Sequence, residues 1–318
     1  MSESSLMRAA RVAVGQCLGV QKSEQVIVIA DAPCLSIGRA LFEASVETGA
    51  DTQLIEILPR AENGSEPPPP VAAAMAAAHV VFAPTSKSLT HTEARRAASE
   101  AGARIATLPG ITEDIMSRAL LADYEAIAER THRVANALQG KQTIRVTTAA
   151  GTDISFSIEG RKVSADTGIL RNPGVTNLPA GEAYLAPVEG TGRGLIVIDG
   201  CIGSSGVLRE PIEVVVEGGM ATIIRGNVYA ETLVARMDAA GPEARNLAEL
   251  GIGTNDAARL TGQVLEDEKI LGTVHLAFGD NRSMGGIVRA PFHQDGILLR
   301  PTVWADGCLV LDDGVLMA

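Results

Sequence analysis

The stretch QVIVIADAPCLSIGRALFEASVETGADTQLIEIL, residues 25–58, decides the fold of the first half of this chain. It holds two short apolar runs, QVIVIAD (25–31) and TQLIEIL (52–58), with a helical pattern, SIGRALFEASVETG (36–49), between them. A continuous apolar run belongs to a strand covered on both faces. Strand, helix and strand in succession make a crossover unit with a parallel sheet. The rhythm continues outward. HVVFAP (79–84) and ARIATLP (103–109) read as further strands, and VAAAMAAA (71–78) and HTEARRAASEAG (91–102) as helices. EPPPPVAAA (66–74) reads as a stiff loop feeding a helix, not as a domain linker. Towards the N-terminus, Leu6, Ala10, Val14 and Cys17 fall near helical spacing and predict an amphipathic opening helix. Residues 121–139 read as one longer helix that leaves this domain.

From residue 141 the pattern changes. QTIRVTTAAGTDISFSIEGRK (142–162) reads as a hairpin around Ala150-Gly151, and GLIVIDG (194–200), EPIEVVVEGG (210–219) and MATIIRG (220–226) continue as strands with glycine turns. One helix, ETLVARMDAAG (231–241), interrupts them. The expected fold class is α/β: an N-terminal parallel-sheet α/β domain over 1–140, then a β-rich α+β domain over 141–318.

Composition narrows the function. The 318 residues are 46% hydrophobic and carry a formal net charge of −11. An acidic surface without a basic stripe repels phosphate backbones, which argues against a nucleic-acid partner. No apolar run approaches the roughly 20 residues that span a bilayer. Arg8 and Arg11 interrupt any signal-peptide core. The expectation is a cytoplasmic protein without a membrane partner. Cys17, Cys34, Cys201 and Cys308 are far apart and form no CxxC pair, so they read as reduced, buried small hydrophobes. GTGRG (190–194) and GIGTND (251–256) complete no phosphate-binding motif and read as turns. No GxSxG nucleophile elbow occurs.

The chemistry concentrates in GTVHLAFGDNRSMGGIVRAPFHQD (272–295). His293 and Asp295, two apart, share one face of a strand and can converge on one ion. His275 sits in an apolar strand where an unpartnered imidazole is costly. On these three residues alone two readings stand: a metal site, or a satisfied core histidine beside a surface HxD. Two histidines and a carboxylate suit Zn²⁺ or Fe²⁺ alike. Glu182, in NLPAGEAYLAP (177–187), and Glu249, in AELGIGTN (248–255), stand in apolar, turn-rich surroundings where a lone carboxylate calls for a cation. EDEK (266–269) reads first as a solvated turn, with Glu268 available as an acid–base group.

Taken together, NLPAGEAYLAP, AELGIGTN, LEDEKILGTVHLAFG and FHQD, in that order, resemble the aminopeptidase T/aminopeptidase S metallopeptidase family, and the likeness covers nearly the whole chain. The resemblance implies a homodimer and a one- or two-ion site for Zn, Co or Mn that hydrolyses a short-peptide or other small-molecule substrate. It implies metal ligation by Glu182, Glu249, His275, His293 and Asp295, and Glu268 or Glu249 is then expected to shuttle the proton. The family's tyrosine, seven residues after the first histidine, is Arg282 here. A guanidinium offers a metal no lone pair, so Arg282 is expected to bind an anionic substrate group instead. The same superfamily includes 2,5-dihydroxypyridine 5,6-dioxygenases. That alternative implies one Fe(II) on His275, His293 and Asp295, with His91, in TSKSLTHTEARR (85–96), as a proton acceptor; against it stands a plain reading of His91 as a residue of a helix's first turn with Thr90 as cap.

Overall fold

A computed structural model of the chain describes residues 4–203 and 205–317. In chain order the regular elements begin with α1 (Ser5–Arg11), β1 (Gln25–Asp31), α2 (Leu35–Glu47), β2 (Asp51–Ile57), α3 (Pro69–Ala77) and β3 (Val80–Ala83). Next come α4 (Glu93–Glu100), β4 (Arg104–Thr107), α5 (Glu113–Ala119), α6 (Tyr124–Leu138), β5 (Thr143–Thr147), β6 (Asp153–Ser157) and β7 (Ser164–Asp166). They are followed by β8 (Gly174–Asn177), β9 (Glu182–Leu185), β10 (Arg193–Ile198), β11 (Ile212–Glu217), β12 (Met220–Arg225) and α7 (Val228–Ala240). The chain ends with β13 (Leu247–Gly253), α8 (Val264–Asp267), β14 (Val274–Gly279), β15 (His293–Leu298), β16 (Thr302–Ala305), β17 (Cys308–Asp312) and β18 (Val315–Leu316).

The chain divides into two compact units. The first is Met1–Ala128 with Asp166–Ala180, and the second is Glu129–Ala165 with Gly181–Ala318. The sequence pattern places a single boundary at 140/141; the chain instead returns to the first unit for fifteen residues, 166 to 180. The reason is β8, which completes a five-stranded parallel sheet in the order β2-β1-β3-β4-β8 by pairing with β4. Its sequence, GVTN, has no apolar run to announce it.

In the first unit the strands expected at 25–31, 52–58, 79–84 and 103–109 all form, within two residues at each end. Ile27, Ile29, Val81, Ala83 and Ile105 pack with Val71, Met75, Ala94 and Ala98 from α3 and α4. α2 approaches β1 closely enough that a Cβ on Gly38 would fall 2.7 Å from Ala30 Cβ, which is why that helix carries glycine there. Ala10, Val14 and Cys17 are buried, as the opening helical spacing requires.

In the second unit an eight-stranded sheet, β12-β11-β10-β6-β5-β16-β17-β18, and a five-stranded sheet, β15-β14-β13-β9-β7, share one core. The hairpin expected around Ala150-Gly151 is β5–β6, paired antiparallel. Among the described residues no helix is long and apolar enough to cross a membrane. Cys17, Cys34 and Cys201 are buried, but Cys308 is exposed, because it begins β17 beside the turn at Gly307.

Candidate metal centre

The register of the five-stranded sheet in the second unit builds the site. Gly253 stands opposite Glu182, and Gly251 opposite Tyr184 on one side and His275 on the other. Ala277 stands opposite Glu249 and Asp295, and Gly279 opposite His293. Alternate residues of a strand share a face, so Glu182, Glu249, His275, His293 and Asp295 all occupy one face of this sheet. The intervening residues, among them Leu185, Leu250, Ile252, Val274, Leu276, Phe278 and Leu298, turn the other way into the core. An antiparallel sheet can spend one face on the core and the other on chemistry. Small residues at 251, 253, 277 and 279 leave room between the donors. A Cβ on Gly251 would lie 2.0 Å from His275 Nε2, so the imidazole lies across that glycine. GIGTND is therefore not wholly a turn: Gly251 and Gly253 are strand residues, kept free of side chains by what packs on them.

The donors converge. His275 Nε2 lies 3.3 Å from Glu182 Oε2 and 3.5 Å from Glu249 Oε1, and His293 Nε2 lies 3.1 Å from Glu249 Oε2 and 3.6 Å from Asp295 Oδ1. Three overlapping sets could hold a cation: Glu182, Glu249 and His275; Glu249, His293 and Asp295; Glu268, His275 and Asp295. Glu182 and Glu249 are each only 7% exposed and His275 1%, while the His293 side chain is 32% exposed and marks the open side.

These residues fit a divalent metal. Ligand bonds of about 2.0–2.2 Å set neighbouring donors roughly 3–3.5 Å apart, the separation found here. The backbone carbonyl of Asp280 accepts a 2.8 Å hydrogen bond from His293 Nδ1, which leaves Nε2, facing the carboxylates, as the nitrogen that would ligate a metal. The electrostatics agree. Burial alone would push the His275 imidazolium down, but the Glu249 hydrogen bond and the charges of Glu182, Glu249 and Asp295 raise it to about 9. His293 is likewise raised well above its ordinary value, against burial, by Asp295 and Glu249. Burial would raise the Glu249 carboxyl; hydrogen bonds from both histidines hold it far below the usual carboxylate range. The carboxylates thus favour positive charge at this point of the sheet face, the requirement of a cation site.

EDEK is not a solvated turn. Glu266, Asp267 and Lys269 are buried. Glu266 accepts from Arg259 N at 2.8 Å, and Asp267 accepts from Thr261 N at 2.7 Å and Gly262 N at 2.8 Å, so both acids pin the preceding loop. Lys269, which the sequence reading passed over, donates from Nζ to Glu182 Oε1 at 2.6 Å and to Glu268 Oε1 at 2.7 Å. The signal was available: VLEDEKIL flanks four charges with apolar pairs on both sides. Burial, together with the Glu182 and Asp295 charges and against Lys269, brings the Glu268 carboxyl up to about 8.

Two expected site residues lie outside the strands that carry these donors. Arg282 is exposed, in a short 3-10 turn over Arg282–Met284 between β14 and β15. His91 belongs to the first unit, exposed in the turn before α4. The cap of that helix is Thr92, whose hydroxyl accepts from Arg95 N, and not Thr90. Thr90 instead shares hydroxyl hydrogen bonds with Ser88 and Thr107.

Residues 4–318 match the NicX family, 2,5-dihydroxypyridine 5,6-dioxygenase. The chain belongs to that family. Among solved structures it is similar to 2,5-dihydroxypyridine dioxygenase from Pseudomonas putida KT2440, at 20% identity and a TM-score of 0.86, covering 100% of this chain and 99% of that one. It is also similar to wild-type AmpT from Thermus thermophilus, at 19% identity and a TM-score of 0.71, covering 99% of each chain. No protein of curated function matches it by sequence. The α/β architecture with antiparallel sheets is thus the fold these two proteins share. Family and donor cluster together mark the chain as a metalloenzyme of that fold.

Proposed function

We propose that this protein is a mononuclear ferrous dioxygenase that cleaves a hydroxylated N-heteroaromatic ring of the 2,5-dihydroxypyridine class. One observation carries the reading: two imidazoles, His275 and His293, lie on one sheet face with Asp295 and both meet the Glu249 carboxylate, in a chain of the NicX family. Two histidines and one carboxylate are the set that suits ferrous iron with open positions. When bound, Fe(II) supplies the redox chemistry that lets O₂ react with an electron-rich ring.

The chain's own residues do the rest. His275, His293 and Asp295 would hold the ion, while Glu249 stands between the imidazoles, with Oε1 towards His275 Nε2 and Oε2 towards His293 Nε2. Glu268, with its carboxyl near neutrality, can give or take a proton at Oε. Family resemblance assigns the acceptance of a ring-hydroxyl proton to His91, and this belongs to the same proposal. His91→Gln then lowers kcat and leaves metal content unchanged; loss of metal would reassign it.

A metallohydrolase is the second reading, and what favours it is the surplus of carboxylates, Glu182, Glu249 and Glu268, beyond a two-histidine, one-carboxylate set. Against it stands Arg282, exposed where the peptidase pattern needs a tyrosine ligand. The deciding assay pairs two substrates. Protein prepared anaerobically with Fe(II) is given 2,5-dihydroxypyridine while O₂ uptake is recorded, and protein loaded with Zn, Co or Mn is given leucine p-nitroanilide. One O₂ consumed per ring opened supports the proposal. Peptidase turnover without O₂ uptake would replace it with hydrolysis.

A further inference from the structure

We propose that the Lys269 ammonium occupies the place of a second divalent cation and thereby limits the centre to one ion. The inference rests on the metal-centre reading above but not on which reaction the centre performs.

Glu182 is the pivot. Its Oε2 faces His275 Nε2 at 3.3 Å, and its Oε1 accepts from Lys269 Nζ at 2.6 Å. A carboxylate that bridges two positive positions is the arrangement of a two-ion centre, with one position filled here by a side chain. Glu268 completes that second position at 2.7 Å from the same Nζ. The ammonium therefore takes one oxygen from each of the two carboxylates that lie outside the Glu249, His293 and Asp295 set.

The position is held rigidly. Lys269 is 1% exposed, and its carbonyl accepts from Asn255 N at 2.8 Å, while Leu271 N donates to Asn255 O at 3.0 Å. A Cβ at Gly253 would lie 2.1 Å from Ile270 O, so the 269–271 backbone sits directly on β13. Behind it, Glu266 and Asp267 fasten the preceding loop. An ammonium so placed does not swing aside for an arriving ion. The charge balance points the same way. Four carboxylates, Glu182, Glu249, Glu268 and Asp295, supply at most four negative charges, so the ammonium with one divalent ion sets three positive charges against them, whereas two ions would set five and exceed them. Ammonium and metal compete for the same carboxylate lone pairs.

The experiment counts ions. Wild type, Lys269→Gln, Lys269→Met and Lys269→Arg are equilibrated with excess Co²⁺, freed of unbound metal, and read by native mass spectrometry and elemental analysis. Wild type and Lys269→Arg are expected to carry one ion per chain, Lys269→Gln and Lys269→Met two. Two ions in wild type overturn the proposal, as does a single ion in both neutral variants. If both neutral variants fail to fold even when produced with Co²⁺, the proposal also falls, because a second ion in that place would have restored the balance. Failure of the metal reading itself is distinguishable, since wild type would then carry no ion. One ion without ring cleavage would sink the proposed reaction and leave this inference standing.

Discussion

Among the described residues of the first unit, Asp31 is the one charged side chain that is buried, whereas the second unit buries Glu182, Glu249, Glu266, Asp267, Lys269 and His275. The difference follows from the sheets. A parallel sheet covered on both faces has no side on which a charge can sit cheaply, and Asp31 stands at the very end of β1, where Ser86 N donates to it at 2.8 Å. The antiparallel sheet β15-β14-β13-β9-β7 gives one face to the core and is free to concentrate charge on the other. Buried ion pairs are weak sources of stability, because desolvation offsets their attraction. The first unit is therefore held by apolar packing, and the second carries a cluster whose value is chemical. Removing one partner of such a buried pair typically costs about 3–5 kcal/mol.

Chelation should separate the two regions most strongly. A metal bound at a thousand times its dissociation constant stabilises the native state by about 4 kcal/mol. Stripping it should speed hydrogen exchange in β9, β13, β14 and β15 while β1, β3 and β4 keep their protection. Equal loss of protection in the parallel sheet would break the comparison.

That contrast also governs what could be read beforehand. Strands β1, β3 and β4 were legible because burial on both faces leaves unbroken apolar runs such as VIVIA (26–30), and β2, a partly exposed edge strand, was legible through Leu54, Ile55 and Ile57. β8 was not, because its four residues are strand only through pairing with β4. Within the second unit residue type and spacing singled out His275, His293 and Asp295 but left a metal site and a satisfied core histidine both open. Glu182 and Glu249 were legible as lone acids in apolar surroundings, although they lie in strands and not in turns. Lys269 was missed because a charge run looks solvated until its partners are known, and Glu182 is 87 residues away. Arg282 was singled out for its place in a motif, and a motif position carries no information about exposure.

Acidification should act on the second region alone in its metal affinity. At pH 7 the metal-free centre keeps His275 protonated, since its pKa is raised to about 9, and His293 is raised in the same direction. A ligand histidine must be neutral, so metal entry expels these protons. Affinity is then expected to climb with pH by up to about a hundredfold per unit, until His275 titrates near 9. Metal-free stability runs the other way. A raised pKa means the imidazolium contributes fully below about 6.5, and the contribution fades as pH rises through 9. Calorimetry in two buffers of different ionisation enthalpy counts the protons released; a count of zero would show that both imidazoles are already neutral.

A pair of glycine substitutions sharpens the contrast at single positions. Gly251→Ala would place a methyl 2.0 Å from His275 Nε2, so it should cut metal affinity at least tenfold with a modest change in metal-free melting. Gly38→Ala would crowd Ala30 at 2.7 Å. Overpacking costs about 1–3 kcal/mol and alanine returns about 1 through helix propensity, so a small net loss of stability is expected. Metal affinity should not move. If Gly38→Ala changed affinity as much as Gly251→Ala does, the two units would not be separable in this way.

The smallest effect belongs to Arg282. Its side chain is exposed and a guanidinium offers a metal no lone pair, so Arg282→Tyr should leave melting temperature and metal content within error of wild type. The substitution restores the residue of the peptidase pattern, and a phenol, unlike a guanidinium, can ligate a metal once deprotonated. If the short turn over Arg282–Met284 holds position 282 away from the donors, the restored tyrosine gains nothing, and hydrolysis of leucine p-nitroanilide stays at the wild-type level. A rise in peptidase turnover with a second bound ion would show instead that this turn can fold onto the sheet face. The identity of residue 282, more than the buried charges, would then be what separates hydrolysis from ring cleavage on this fold.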